Sequence, residues 1–163
     1  MAPQEGTSLP VRSREVARIL AEAGIGGRVR ELAESTRTAA EAAEALGCEV
    51  GAIANSLVFV SDDEPVLVLT SGRHKVDTTA LAARWGRGEL RRATPEQVRQ
   101  ATGQPIGGVA PVGHPQALPT VVDAALGDYP RLWAAAGTPR TVFPTTVGEL
   151  LRLTAGLLLP VGP

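Results

Sequence analysis

The chain is 163 residues long, 44% hydrophobic and 20% charged, with 16 Lys and Arg against 17 Asp and Glu. That length accommodates one domain with a substantial core, and the balanced charge excludes a protein that grips nucleic acid by bulk positive charge, leaving only a local patch. The lone cysteine, Cys48, excludes an internal disulfide framework and a cysteine-based zinc cluster. No apolar run approaches the roughly 20 residues of a membrane span, and residues 1–10 are polar without a signal-peptide core. The expectation is a soluble cytoplasmic protein with no membrane partner.

Aromatic residues make up only 3% of the chain, so its core must be built from Val, Leu, Ile and Ala. Residues 13–23 (SREVARILAEA) carry Val16, Ala17, Ile19, Leu20 and Ala23 at helical spacing, and Gly24 closes the run. Residues 27–32 (GRVREL) alternate and predict a short strand. Ser35 or Thr36 is the expected cap of the alanine-rich helix TAAEAAEALG, which ends at Gly47. Residues 50–60 and 65–70 predict two strands around the acidic turn SDDE. Asp77 opens the helix DTTALAARW, and a short strand is expected near residues 89–92.

In TPEQ, Thr94 is the expected cap, Pro95 the first helical residue and Gln97 the reciprocal partner, with the helix stopping at Gly103. Residues 105–119 are rich in Gly and Pro and show no helical period. VFPTTVGELLRLTAG predicts a strand, a capping box of Thr146 with Glu149, and a helix stopped by Gly156; LLLPV predicts a closing strand. The spacers are too uneven for regular βαβ units. The expected fold class is therefore α+β: a single domain over residues 1–163 with a mixed sheet.

Several common chemistries lack their motifs. There is no Walker loop, dinucleotide glycine fingerprint or GxSxG elbow. GIGG at 24–27 follows a helix, the wrong context for a phosphate loop. His74 and His114 lie 40 residues apart with no matching carboxylate pattern, so neither a zinc site nor any other cofactor is expected. Cys48 follows a helix-stopping glycine and reads as a small packed residue rather than a nucleophile.

Four segments carry more. On a strand, Ile53, Asn55, Leu57 and Phe59 share one face of IANSLVF, with Ala54, Ser56 and Val58 on the other. Asn55 is thus polar on an apolar face. Burying an amide without partners costs about 1–3 kcal/mol, so it is either a bonded core asparagine or part of a pocket wall. Residues 104–115 (QPIGGVAPVGHP) form a stiff loop, poor in side chains, whose backbone amides can face a ligand; an ordinary connection is the plainer reading. In residues 132–146, the small run at Ala134, Ala135, Ala136 and Gly137 allows close backbone approach, and Arg140 offers a phosphate or carboxylate partner. Tightly packed strands with a solvated arginine explain that pattern equally well. SGRHKVD concentrates Arg73 and Lys75 in one loop, for which a solvated turn is the commoner reason.

Taken in order, STRTAAEAAEALGC, IANSLVFV, LVLTSGRHKVD, ATPEQVRQATGQPIGGVAPVGH, PTVVD and AAAGTPRTVFPTTVGELLRLTAG resemble the YbaK/EbsC family. That family includes the editing domain inserted into bacterial prolyl-tRNA synthetases. No single segment is specific, but the ordered set is, and it covers roughly residues 31–161. The resemblance implies an α+β domain with its core at about 27–161, an added N-terminal helix at 13–23, and a mixed, partly closed sheet wrapped by helices. It implies hydrolysis, in trans, of the ester joining a wrong amino acid to tRNA. The implied partners are the acceptor end of a mischarged tRNA and an aminoacyl-tRNA synthetase; the oligomeric state stays open.

By the same resemblance, a GxxxP loop maps onto Gly107, Gly108, Val109, Ala110 and Pro111, which in relatives holds the terminal adenosine and the aminoacyl carbonyl. Many relatives carry lysine where this chain has Asn55, and Lys75 is not an evident substitute because it lies past the next strand. The implied mechanism uses the Gly107 and Gly108 amides to stabilise the oxyanion. Asn55 would orient the ribose, with Ser56, Ala136, Gly137, Arg140, Arg73 and Lys75 as further contacts. With no evident general base, the substrate's own hydroxyl or amine would help activate water. A small pocket would select Ala- or Ser-sized side chains, and Gly108→Val should abolish turnover in an intact fold. Two other readings compete: a binding module that lost turnover with the lysine, and a hydrolase of another small ester or amide.

Overall fold

The computed structural model describes residues 9–162; the expectation for the polar start of the chain falls largely outside them. Among the described residues, the helices are α1 (Val11–Glu22), α2 (Ala39–Leu46), α3 (Thr78–Trp85), α4 (Pro95–Thr102) and α5 (Val147–Thr154). The strands are β1 (Arg30–Glu31), β2 (Ile53–Ser61), β3 (Glu64–Ser71), β4 (Arg91–Arg92), β5 (Thr120–Asp123), β6 (Leu132–Ala135), β7 (Thr141–Thr145) and β8 (Leu157–Leu159). They form one mixed sheet in the order β1-β7-β6-β2-β3-β5-β8, with β4 also paired to β2. The expected α+β class with a mixed sheet is what the chain adopts.

The hairpin β2–β3 is the sheet's centre. Its register sets Asn55 opposite Thr70 and Phe59 opposite Val66, and its turn places Asp62 and Asp63 at φ of 52° and 62°. Two consecutive left-handed residues match the strand twist, and aspartate tolerates that region. β3 and β5 run parallel, as do β5 and β8, while β6 lies parallel to β2 and antiparallel to β7. The two-residue alternation in β2 sorts its side chains as read. Ala54 and Val58 join Leu67, Leu69 and Val122 beneath α1 (Val16, Leu20) and α5 (Leu150). Phe59 and Leu57 join Val66 and Val68 beneath α3 (Leu81, Ala82). A third cluster packs α2 against Ile53, Trp133 and Val142.

Several boundaries differ from expectation. Residues 50–52 form a 3-10 turn, so β2 starts at Ile53. Of residues 27–32 only Arg30 and Glu31 pair; a Cβ on Gly27 would sit 2.1 Å from the Pro144 carbonyl oxygen, a close approach that only glycine permits. The cap of α2 is Thr38, not Ser35 or Thr36: its side chain accepts from the Glu41 amide at 3.1 Å. Thr94 and Gln97 make the full capping box. The second box is only half made, because Glu149 Oε1 accepts from Thr145 Oγ1 at 3.0 Å instead of the Thr146 amide. α5 closes on Ala155 in the left-handed region rather than on Gly156. β5 has no sequence signature of its own, being four residues long and buried between two parallel neighbours.

Candidate functional site

β2 pairs with β3 from Ala54 to Ser61 on one edge, but short partners share the other. β6 covers it at Ile53 and Ala54, and β4 at Phe59 and Val60. Beyond that, Ala93 donates to the Val58 carbonyl at 3.1 Å, and residues 55–57 face no strand on that edge among the described residues. A cavity of about 590 Å³ opens at this gap. Because it wraps an open edge, both faces of β2 line it: Asn55 and Leu57 from one, Ala54 and Ser56 from the other. Its walls are mostly small or apolar, including Ala93, Val98, Val109, Trp133 and Ala134. Exposed Arg37, Lys75 and Arg92 reach it, and among the described residues no Asp or Glu lines it.

The residues singled out in the sequence divide sharply. Asn55, Ser56, Gly107, Val109 and Lys75 all line this cavity. Asn55 is exposed where it lines the cavity and is not a buried core asparagine. The Ser56 hydroxyl is buried there without a hydrogen-bond partner among the described residues. Lys75 corrects the expectation that it lies too far along the chain: the β2–β3 hairpin doubles back, and residues just past β3 return beside the start of β2.

The rest sit elsewhere. Gly108 is not in the lining; its amide donates to the Pro105 carbonyl at 3.1 Å, so it is not a free oxyanion donor. A Cβ there would lie 2.5 Å from the Thr138 backbone, so Gly108→Val would dislodge the loop rather than leave the fold intact. Ala110 and Pro111 are buried outside the cavity, the Ala110 amide donating to Gln104 Oε1 at 2.6 Å. Ala136 is buried and accepts from Ser13 Oγ, while Gly137 packs against Arg12 at φ 102°. Both anchor α1. Arg140 spends its guanidinium on the carbonyls of Leu32 and Ala33. Arg73 pairs with Asp128 at 2.8 Å and donates to the Tyr129 hydroxyl at 3.0 Å. Cys48 packs beside α2, and burial pushes its thiol up, away from nucleophilic character.

The sequence reading missed His74 as chemistry. No local carboxylate pattern marks it, but its partner is 49 residues away: Nδ1 lies 3.0 Å from Asp123 Oδ2. Asp123 is fully buried, and its oxygens also accept from the amides of Ser71 and Ala125, each at 2.9 Å. His74 lines the cavity while Asp123 lies behind it. Among the described residues no three His, Cys, Asp or Glu side chains come together as a metal site, and no helix is long and apolar enough to cross a membrane.

Comparison with known proteins shows the family and the fold. The family described as "Aminoacyl-tRNA editing domain" matches residues 33–153. A solved structure proposed as a trans-editing enzyme for prolyl tRNA synthetase is 47% identical, with a TM-score of 0.89 over 95% of this chain and 99% of that one. The uncharacterized protein YwhH of Bacillus subtilis is 30% identical over 123 residues, 75% of this chain and 78% of its own. The proline–tRNA ligase of Levilactobacillus brevis is 35% identical over 89 residues, which span 55% of this chain but only 16% of the ligase. The chain belongs to the aminoacyl-tRNA editing domain family, the YbaK-type domain that its ordered motifs resemble.

Proposed function

We propose that this chain is a trans-acting aminoacyl-tRNA deacylase that hydrolyses the ester between a small, wrongly attached amino acid and the 3′ end of a tRNA, with tRNA for proline favoured. One observation carries the reading: the open edge of β2 brings Asn55, Ser56, Gly107 and Val109 into one small-walled cavity reached by Arg37, Lys75 and Arg92, with no Asp or Glu of the described residues in its lining. Cations suit the phosphates at an acceptor end. Asn55 donates to the terminal ribose, and the Gly107 amide stabilises the developing oxyanion in place of the Gly108 amide, which is already engaged. The alanine-rich wall makes the filter steric, and one methylene is worth about 1–3 kcal/mol of discrimination.

Deacylation of labelled alanyl-, seryl- and cysteinyl-tRNA for proline tests this. Rapid loss of one species over its buffer control is expected. If none is turned over while binding persists, the protein is instead a recognition module, a reading favoured by the uncharged Asn55. Asn55→Lys separates the two: it raises activity in a lapsed enzyme and lowers or leaves it in an enzyme adapted to asparagine.

A further inference from the structure

The deacylase reading leaves the activation of water to the substrate, yet the cavity holds an oriented imidazole that no step uses. Three strands bring it there. Antiparallel pairing sets Asn55 opposite Thr70, and parallel pairing of β3 with β5 at Leu69 and Val122 carries Asp123 to the end of β3. The Thr70 hydroxyl lies 3.4 Å from Asp123 Oδ2. Beyond β3 a turn closed by the His74 amide on the Ser71 carbonyl, at 2.9 Å, swings the ring back onto that carboxylate. With the side chain of His74 33% exposed and that of Asp123 only 1% exposed, the ring is the outward partner.

The chemistry of the pair is directional. Ser71 and Ala125 present N–H groups to Asp123, and the carboxylate only accepts. The ring nitrogen against it therefore carries the proton, and the lone pair is left on Nε2, the far side of the ring. That is the tautomer a general base requires.

We propose that His74 is the general base of this site and that Asp123 is its positioning residue. The inference rests on the deacylase reading. Nε2 takes a proton from water as the water oxygen bonds to the ester carbonyl carbon. The tetrahedral intermediate then collapses, the bond to the ribose oxygen breaks, and that oxygen takes the proton back from the imidazolium. The products are free amino acid and uncharged tRNA, and no other reactant is consumed. The charged groups around the ring are Asp123 behind it, Arg37, Lys75 and Arg92 around the cavity, and Arg73 turned to Asp128.

The test begins with the wild-type rate on the mischarged panel. Absence of turnover there sinks the deacylase reading and this inference with it. Given turnover, His74→Gln should lower kcat by about 100-fold or more with little change in KM. It should also erase the acid limb of the kcat–pH profile. Free imidazole should partly restore His74→Ala, and Asp123→Asn should lower kcat more than it raises KM. A His74→Gln enzyme with wild-type kcat and an unchanged acid limb overturns the proposal while leaving the deacylase intact. Nitrogen-15 spectra of the folded protein give an independent check: neutral His74 should carry its proton on Nδ1, and a proton on Nε2 would overturn the assignment.

Discussion

Ser56 and Arg140 show how differently two polar side chains behave once the chain is folded. The Ser56 hydroxyl is buried at the cavity without a partner among the described residues, a state that costs about 1–3 kcal/mol. Such a cost persists where a ligand relieves it. Ser56→Ala should therefore raise the melting temperature of the free protein and lower kcat/KM for aminoacyl-tRNA; thermal melts and deacylation rates check both. Arg140→Ala should do the reverse, lowering the melting temperature by a few degrees with kcat/KM unchanged, because its guanidinium ties down the Leu32 and Ala33 carbonyls outside the cavity. Equal losses of activity in the two variants would reinstate Arg140 as a substrate contact. In the sequence both are simply polar residues near apolar runs. What separates them is which neighbour the fold supplies.

At the level of elements, the loop from Gln104 to His114 carries Gly107 and Val109 to the cavity, and a buried side chain holds it. Gln104 accepts from the Ala110 amide at 2.6 Å through Oε1 and donates to the Val112 carbonyl at 3.2 Å through Nε2. Thr102 bridges the helix end to the same loop, donating to the Val98 carbonyl at 2.7 Å and accepting from the Gln104 amide at 3.0 Å. Gln104→Ala removes both loop bonds and strands two buried backbone groups, a loss of about 2–4 kcal/mol. Amide hydrogen exchange should then show protection lost at residues 105–113 before it is lost in β2 and β3, with kcat/KM falling in parallel. Unchanged exchange in this loop would remove Gln104 as its staple. The helix ends around it were legible: Pro95, Gln97 and Gly103 each stand at the predicted boundary of α4. The second capping box failed where Thr145 offered Glu149 a competing hydroxyl, which spacing alone does not reveal.

For the molecule as a whole, His114 sets a pH limit. Its ring is half-buried, with Nε2 2.8 Å from the Ala110 carbonyl, and burial holds its pKa below the usual histidine value of 6.5, outweighing that hydrogen bond. The unfolded chain then takes up the proton more readily than the folded one. Stability is complete above the ordinary histidine range and is lost as pH falls through it. The melting temperature should drop between pH 7.5 and 5.5, and His114→Gln should reduce that drop. An unaltered slope would assign the effect to other groups. On the proposal above, His74→Gln acts on kcat whereas His114→Gln acts on the melting temperature, so the two variants separate by readout.

Local chemistry determined most of the framework. Helical spacing, caps and left-handed glycines placed the five helices of the described residues, if not every end of them, and two-residue alternation sorted β2 into its two faces. These signals lie within a turn or a pleat of the residues that make them, so no knowledge of neighbours is needed. Tertiary structure alone decided the site. The gap between β6 and β4, the return of Lys75 beside Asn55, and the meeting of His74 with Asp123 arise from pairings between strands far apart in the chain. No periodicity encodes such a meeting. The parallel register of β3 and β5 puts a buried carboxylate behind a partly exposed imidazole, a juxtaposition that no local pattern of the sequence marks.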